Sequence, residues 1–487
     1  MRILDLADST ADAVRSAGAY LSDWMTPTIR LGVTGFARSG KTVFITALVR
    51  NLMAGGRLPF FAAMAEGRIR RAYLEPQPDD DIARFGYEEH VRELIAEPPR
   101  WPDSTRQISQ LRLSIEYASR NPLRRALGHG RVHLDIVDYP GEWLIDLPLL
   151  ELTFRAWSQQ ALAEAKARAR GQAQRAWLAF LAPLNAEMPA DEQLALTGAQ
   201  LFADYLGEAR ASDPARIAPG PGRFLWPGDL AGSPLLTFFP LPPSGEGGLK
   251  HGTLGAMLSR RFESYKARVV KPFFRDHFAR LDRQIVLIDV LSALNGGPQA
   301  LTDLAQALDA ILKCFRPGAN SWLSSMLGGR RIDRVLFAAT KADHLHHRNH
   351  DRLEALLGSL VDQAMTRTRA AGADVKVLAL AALRATREAE ARAGAERLPC
   401  ILGVPMPGQR LGERVFDGVS ETALFPGDLP SALPENQSLP LAAIDPVSFL
   451  SFRPPRLKLA GPAGDWLAWP HIRLDRAVDF LIGDQLT

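Results

Sequence analysis

The sequence predicts an α/β fold with a mostly parallel sheet, a large helical insertion and a loop-rich C-terminal region. Three observations carry that expectation. Residues 29–34 form an apolar strand pattern that runs through a glycine-containing turn into an apolar helix at 43–52. Further short apolar runs at 131–137, 284–291, 333–339 and 375–380 have the length and composition of buried strands. Between the first two of these runs, residues 149–280 are rich in helix formers and read as a separate body.

The 487 residues exceed what one compact core usually holds. We divide them into an N-terminal helix (1–28), a nucleotide-domain first part (29–148), a helical insertion (149–280), a second part (281–395), and a C-terminal region with a terminal helix (396–487). With 46% hydrophobic and 23% charged residues, the composition is that of a globular protein. A net charge of +4 is too small to argue for nucleic acid as a partner. Cys314 and Cys400 make neither a disulfide framework nor a zinc pattern, so we expect reduced thiols and a cytoplasmic protein. Asp5, Asp8 and Asp12 interrupt any signal-peptide apolar region, and no apolar run reaches membrane-spanning length.

Taken in order, residues 3–24 read as an amphipathic helix, with Leu4, Ala7, Ala11, Val14, Ala17, Leu21 and Trp24 on one stripe. Packing on the domain is favoured over a membrane-surface role, because its acidic residues suit anionic lipid poorly. Residues 53–104 read as an insertion broken by prolines, with a short helix at 87–95. Residues 110–117 alternate apolar and polar, and the short turn-rich connector to 131–137 predicts antiparallel pairing of those two strands. Residues 156–180 read as a basic helix with a solvated face, and 211–248 as an ordered Pro/Gly loop. Residues 257–278 read as a core helix through Phe262, Tyr265, Val269, Phe273 and Phe278, kinked at Pro272. Helices follow at 299–314 and 351–371, then a loop-rich stretch with short hairpins at 400–455, then a terminal helix at 471–482 stopped by Gly483.

Motifs fall on the strand ends. Gly35-Phe36-Ala37-Arg38-Ser39-Gly40-Lys41-Thr42 fits the phosphate-loop pattern G-x-x-x-x-G-K-[ST]. Gly35 and Gly40 allow a tight turn, and the loop N–H groups and helix N-terminus then face a polyanion. Lys41 would reach the β- and γ-phosphates and Thr42 would bind Mg²⁺; Arg38 and Ser39 complete the loop's candidate ligands. Asp138-x-x-Gly141 follows the next strand, giving a carboxylate for Mg²⁺ and a small residue for close approach to a γ-phosphate. Thr340-Lys341-Ala342-Asp343 ends a later strand: a carboxylate at Asp343 can accept from guanine N1–H and N2–H₂ together, and the Lys341 stem can lie over the base. The 381–383 turn, with Ala382, lies where a third backbone contact to the base belongs. This order is that of a Ras-like or translation-factor GTPase, which makes GTP and GDP the expected ligands. An ATPase is the weaker reading, and a nucleotide-gated binding module with little hydrolysis the other.

Two assignments are less direct. Glu142 stands where many GTPases place a water-orienting Gln; a carboxylate there can act as a base but repels the γ-phosphate, so we expect slow turnover. For the switch threonine that completes the Mg²⁺ and catalytic set we choose Thr105, with Ser104 as rival; Arg106 reads as a surface charge. His344, His346, His347 and His350 cluster after Asp343. The i, i+4 spacing of His346 and His350 suits a transition metal, but no carboxylate or Cys completes the set, so a solvated loop is the better reading.

Beyond single motifs, the chain closely resembles the YcjX family of bacterial P-loop GTPases over nearly its whole length. The stretches that carry the resemblance are TGFARSGKTVFITALV, EPPRWPDSTR, DIVDYPGEWLIDLP, RFLWPGDLAGSP, DRQIVLIDVLSALNGGPQA, LFAATKADH and PHIRLDRAVDFLIGD. The resemblance implies a P-loop G domain, a stress-associated role and a partner in the inner membrane, with peripheral attachment there.

Overall fold

A computed structural model describes residues 26–487 except 37, 104–106, 121–129, 168–170, 213–219, 226, 243–248, 315–331, 371, 394–395, 430–448 and 461–466. The predicted N-terminal helix therefore lies outside the described residues, as do Ser104, Thr105 and Arg106.

The sheet is built from β1 (Thr28–Gly35), β2 (Ile69–Glu75), β3 (Ala83–Arg84), β4 (Ser109–Tyr117), β5 (Gly130–Asp138), β6 (Arg283–Ile288), β7 (Arg334–Ala339) and β8 (Asp374–Ala379). Its order is β2-β4-β5-β1-β6-β7-β8, with β3 on β4. The five strands from β5 to β8 run parallel, and β4 pairs antiparallel with β5 as the short connector predicts. The antiparallel edge is larger than expected, because β2 adds to β4 from within the 53–104 segment. That strand is hard to see in sequence: Arg70 and Arg71 are both exposed at an edge position, which breaks the alternation.

Side chains alternate across the sheet and sort into two cores. Ile285 and Leu287 of β6, with Leu336 and Ala338 of β7, face the phosphate-loop helix α1 (Lys41–Ala54) and the terminal helix Leu474–Ile482. Val286 and Ile288, with Val335, Phe337 and Ala339, face the opposite layer, which includes Leu301, Leu304, Leu353 and Leu357. Burial of β6 along its whole length is what a central parallel strand shows. That strand stops at Ile288 rather than continuing to 291. Asp289 caps the helix Val290–Asn295 by accepting from the Ser292 N–H at 3.0 Å.

The terminal helix is tied to the sheet by more than apolar packing. Asp475 and Asp479 accept the backbone N–H groups of Phe60 and Ala62 at 3.1 and 3.0 Å. The Trp469 N–H donates to Asn51 of α1 at 2.7 Å, and Arg283 of β6 pairs with Asp484 at 2.8 Å.

The insertion has its own aromatic core. Trp157 stacks on Phe262 at 5.0 Å and Trp177 on Tyr205 at 5.0 Å, with Phe202, Phe238 and Phe274 fully buried among them. The predicted single helix over 156–180 is two, Phe154–Ala167 and Gln172–Leu181. The 211–248 segment starts in a helix that reaches Ser212, then contributes short helical turns and the buried Phe238 and Phe239. The 257–278 helix is interrupted by a π-turn at Lys266–Val270, directly before the helix Lys271–Asp276 that carries Pro272. The missing N–H and ring of a proline displace the regular ladder of the preceding turn, so the break sits N-terminal to Pro272.

The segment Gly141–Glu151, a 3-10 turn series, joins this core to the sheet. Asp146 within it is buried and accepts from the Tyr265 hydroxyl at 2.6 Å and the Gly222 N–H at 2.7 Å. Burial pushes its carboxyl up to about 6, against the pull of those two donors. An unfolded carboxyl titrates near about 3.9, so the folded chain holds this proton more tightly and the group's contribution to stability falls as pH rises from about 4 to about 6. Between pH 5 and 7.5 that step is about 1 kcal/mol. Urea denaturation at the two pH values should show it in the unmodified chain and lose it in Asp146→Asn.

Candidate functional site

The site forms at the C-terminal ends of the parallel strands, where α/β sheets bind ligands. Register sets its layout. Val33 of β1 lies beside Asp138 of β5, Gly35 beside Leu287 of β6, and Ile288 beside Ala339 of β7. Gly35, Asp138, Asp289 and Thr340 therefore emerge at one edge.

In the phosphate loop, Gly40 holds φ +88° and begins α1, a conformation that a side chain would strain. Arg38 is exposed with φ +64°, so its guanidinium is not part of the packed loop. Lys41 is 5% exposed, and its Nζ donates to the Gly35 carbonyl at 2.7 Å. An ammonium has three donors, so two remain for an anion at the loop mouth. The Ser39 hydroxyl is buried with no hydrogen-bond partner among the described residues. Thr42 Oγ1 lies 3.5 Å from the Asp103 carbonyl. That contact brings Asp103 beside the candidate Mg²⁺ ligand.

Gly141 packs on this loop. A Cβ there would lie 2.5 Å from the Gly35 oxygen and 2.7 Å from its carbonyl carbon. Both obstacles are backbone, so only glycine permits the approach. Asp138, 1% exposed, ends β5 on the same side. Glu142 lies in the turn series directly after Gly141. Trp143 packs edge-on against Phe273 at 5.6 Å, and the Arg223 guanidinium lies 3.4 Å over its ring. A segment that touches the phosphate loop at one end is thus embedded in the insertion at the other.

The second half of the site follows β7. The Thr340 hydroxyl donates to the Ile288 carbonyl at 3.3 Å, and Lys341 holds φ +60°. Lys341 forms an ion pair with Asp289, a residue the motifs did not single out. Lys341 holds the Asp289 carboxyl below its usual range, although burial opposes it. The signal was available: within QIVLIDVL a carboxylate, Asp289, directly follows the apolar strand run. Asp343 is 4% exposed, and its Oδ2 accepts from the Ala385 N–H at 2.7 Å. A carboxylate has about four lone-pair positions, so this contact orients Asp343 and leaves room for two donors from a base. Ala382 is half-buried in the turn after β8, and its neighbours Ala381 and Leu380 hydrogen-bond to Ile472 and Ala342. Gly35, Lys41, Thr42, Asp138, Gly141, Thr340 and Asp343 thus lie at or directly after the C-terminal ends of the parallel strands, Arg38 is turned to solvent, and Thr105 is outside the described residues.

The donors fit a nucleotide with Mg²⁺: a hydroxyl and a carboxylate at Thr42 and Asp138, a lysine, and an unpartnered loop hydroxyl. The histidine cluster differs from expectation. His350 Nε2 lies 2.9 Å from the Ala342 carbonyl and is turned inward, whereas Glu388 approaches His347. Among the described residues, no helix is long and apolar enough to cross a membrane.

Replacing Gly141 with alanine should cost about 1–3 kcal/mol in urea denaturation, because the added methyl has only backbone to push. A change within about 0.5 kcal/mol would contradict the close approach. Residues 29–486 match the model of the YcjX-like family, DUF463. The chain is 39% identical over 469 residues to a protein of Escherichia coli (strain K12) named Ras-like GTPase YcjX, covering 94% of this chain and 96% of that protein. It is 35% identical over 486 residues to a protein of the same name from Shewanella oneidensis, covering 94% of each. The strand-end geometry and these matches agree: this chain belongs to the YcjX-like family.

Proposed function

We propose that the chain binds guanine nucleotide with Mg²⁺ and hydrolyses GTP to GDP and phosphate, slowly, as a switch. The observation that carries this reading is the contact of Gly141 with Gly35, which brings the D-x-x-G segment onto the phosphate loop. The printed names of both relatives, Ras-like GTPase, support it. Lys41, Ser39 and the N–H groups of Gly40 and the first turn of α1 would bind the phosphates. Thr42 and Asp138 would hold Mg²⁺, with Thr105 as the proposed third ligand; the ion supplies neutralisation of the β- and γ-phosphate charge. Asp343 would read guanine while Lys341, anchored on Asp289, covers the base. Glu142 would orient the attacking water less well than an amide, which slows turnover.

A second reading, a nucleotide-gated binding module, is favoured by the links of Trp143 and Asp146 to the insertion. A shift of the segment 138–146 on nucleotide exchange would be felt by Phe273, Tyr265 and Gly222. The stress-associated role and an inner-membrane partner remain part of this proposal through family resemblance.

Binding of GTP, GDP and ATP with and without Mg²⁺, followed by phosphate release, tests both readings. Guanine-selective binding with steady release supports the hydrolase; selective binding without release supports the gated module. Lys41→Ala should weaken GTP about 30- to 100-fold, the worth of charged hydrogen bonds lost. Asp343→Asn should reduce the preference for guanine over adenine by about tenfold to a hundredfold, as loss of a paired base contact does. A Lys41→Ala protein that binds GTP like the unmodified chain would falsify the assignment.

A further inference from the structure

Three side chains outside the phosphate and base sites converge beside Asp343. His346 and His347 lie just after it, and Glu388 opens the hairpin of β9 (Arg387–Ala393) and β10 (Glu396–Gly403). One ligand atom from each lies within 4.8 Å of the others. Glu388 Oε2 is 2.8 Å from His347 Nδ1 and 3.9 Å from His346 Nε2. The two imidazole rings lie 4.3 Å apart. His346 is buried, while the His347 side chain is 60% and the Glu388 side chain 34% exposed, so an ion can enter from solvent.

We propose that His346, His347 and Glu388 form a binding site for a divalent transition ion of the zinc type. Two imidazoles and one carboxylate are a donor set that zinc accepts with a fourth position open to water. Bond lengths of about 2.0–2.2 Å in a tetrahedron separate neighbouring ligand atoms by about 3.4 Å. The two observed separations, 2.8 and 3.9 Å, lie on either side of that value. Adjustments of about half an ångström bring both Glu388 separations to that value, and rotation of the side-chain ends would bring the two imidazole nitrogens, within 4.8 Å of each other, onto the same ion.

The proton balance is simple. Without metal, His347 Nδ1–H donates to Glu388; binding the ion takes the other tautomer, in which the Nδ1 proton is lost to solvent and Nε2 takes one up, so the ring stays a neutral imidazole with its Nδ1 lone pair on the ion. His346 binds through Nε2 by moving its ring proton from Nε2 to Nδ1, which gives up the marginal 3.5 Å contact in which Nδ1 accepts from the Arg348 N–H. Glu388 Oε1 still accepts from the His347 backbone N–H at 3.1 Å, which aims the carboxylate at the site.

Position gives the site its meaning. Ala385 and Thr386, just before Glu388, are the residues that hydrogen-bond Asp343 through its carboxylate and its carbonyl. An ion joining Glu388 to His346 and His347 therefore ties together the two segments that hold Asp343. Arg387, the neighbour of Glu388 on the strand, is engaged by Glu421 at 2.9 Å, and Arg348 is a cation that acts on His346.

The test uses the full chain, free of any affinity tag and of nucleotide, titrated with Co²⁺ and then challenged with Zn²⁺. The expected result is one equivalent of Co²⁺ with visible ligand-field bands, abolished by Zn²⁺. His347→Ala and Glu388→Gln should each weaken uptake about tenfold or more. His251→Ala, at an exposed histidine elsewhere, should leave it unchanged. Metal-free thermal melting matched to the unmodified chain shows that both variants fold. Absence of saturable uptake, or uptake unaltered in both folded variants, overturns the proposal. The readout involves metal alone, so its failure leaves the nucleotide proposal standing.

Discussion

Everything at the strand ends depends on how closely Gly141 approaches the carbonyl of Gly35. Two loops that leave adjacent parallel strands are brought to backbone contact, with no side chain between them. That contact fixes the exit direction of β5 and leaves Asp138 on the phosphate-loop side. It also places the following turn series under the insertion. A wider gap would leave the same residues in the chain but not in one site.

The insertion is a second consequence of that geometry. Its aromatic core reaches back to the sheet through Tyr139, whose hydroxyl donates to Gln284 at 2.9 Å, and through Trp143 against Phe273. Phe36, inside the phosphate loop, packs against both this core and the layer beneath β6 and β7. A movement of the loop therefore has apolar neighbours on two sides. Interiors packed at crystal-like density transmit such displacements rather than absorb them.

Much of this was legible in the sequence, for a physical reason. A phosphate loop, a strand-end aspartate and a T-K-x-D turn are local demands on backbone and side chain, so their spacing survives in the linear text. The strands that carry them are buried and apolar, as β6 shows throughout its length. What stayed hidden needed partners distant in sequence. Arg70 and Arg71 hide β2 because an edge strand tolerates charge. Asp289 shows its role only when Lys341 folds onto it, and Glu388 meets His346 and His347 only where the chain before it, Ala385 and Thr386, hydrogen-bonds Asp343. Asp146 reads as an ordinary polar residue in a turn until Tyr265 closes over it.

The terminal helix carries one more implication, for how the chain is made. Leu474, Val478 and Leu481 cover the sheet face that α1 begins to cover, and Trp469 is hydrogen-bonded to α1 itself. Residues near the start of the domain are thus sealed by residues more than four hundred positions later. A ribosome delivers these pieces far apart in time, at about 5–20 residues per second. During translation, the nascent nucleotide domain must wait for tens of seconds with part of its hydrophobic face uncovered, until the helix Leu474–Ile482 has been made.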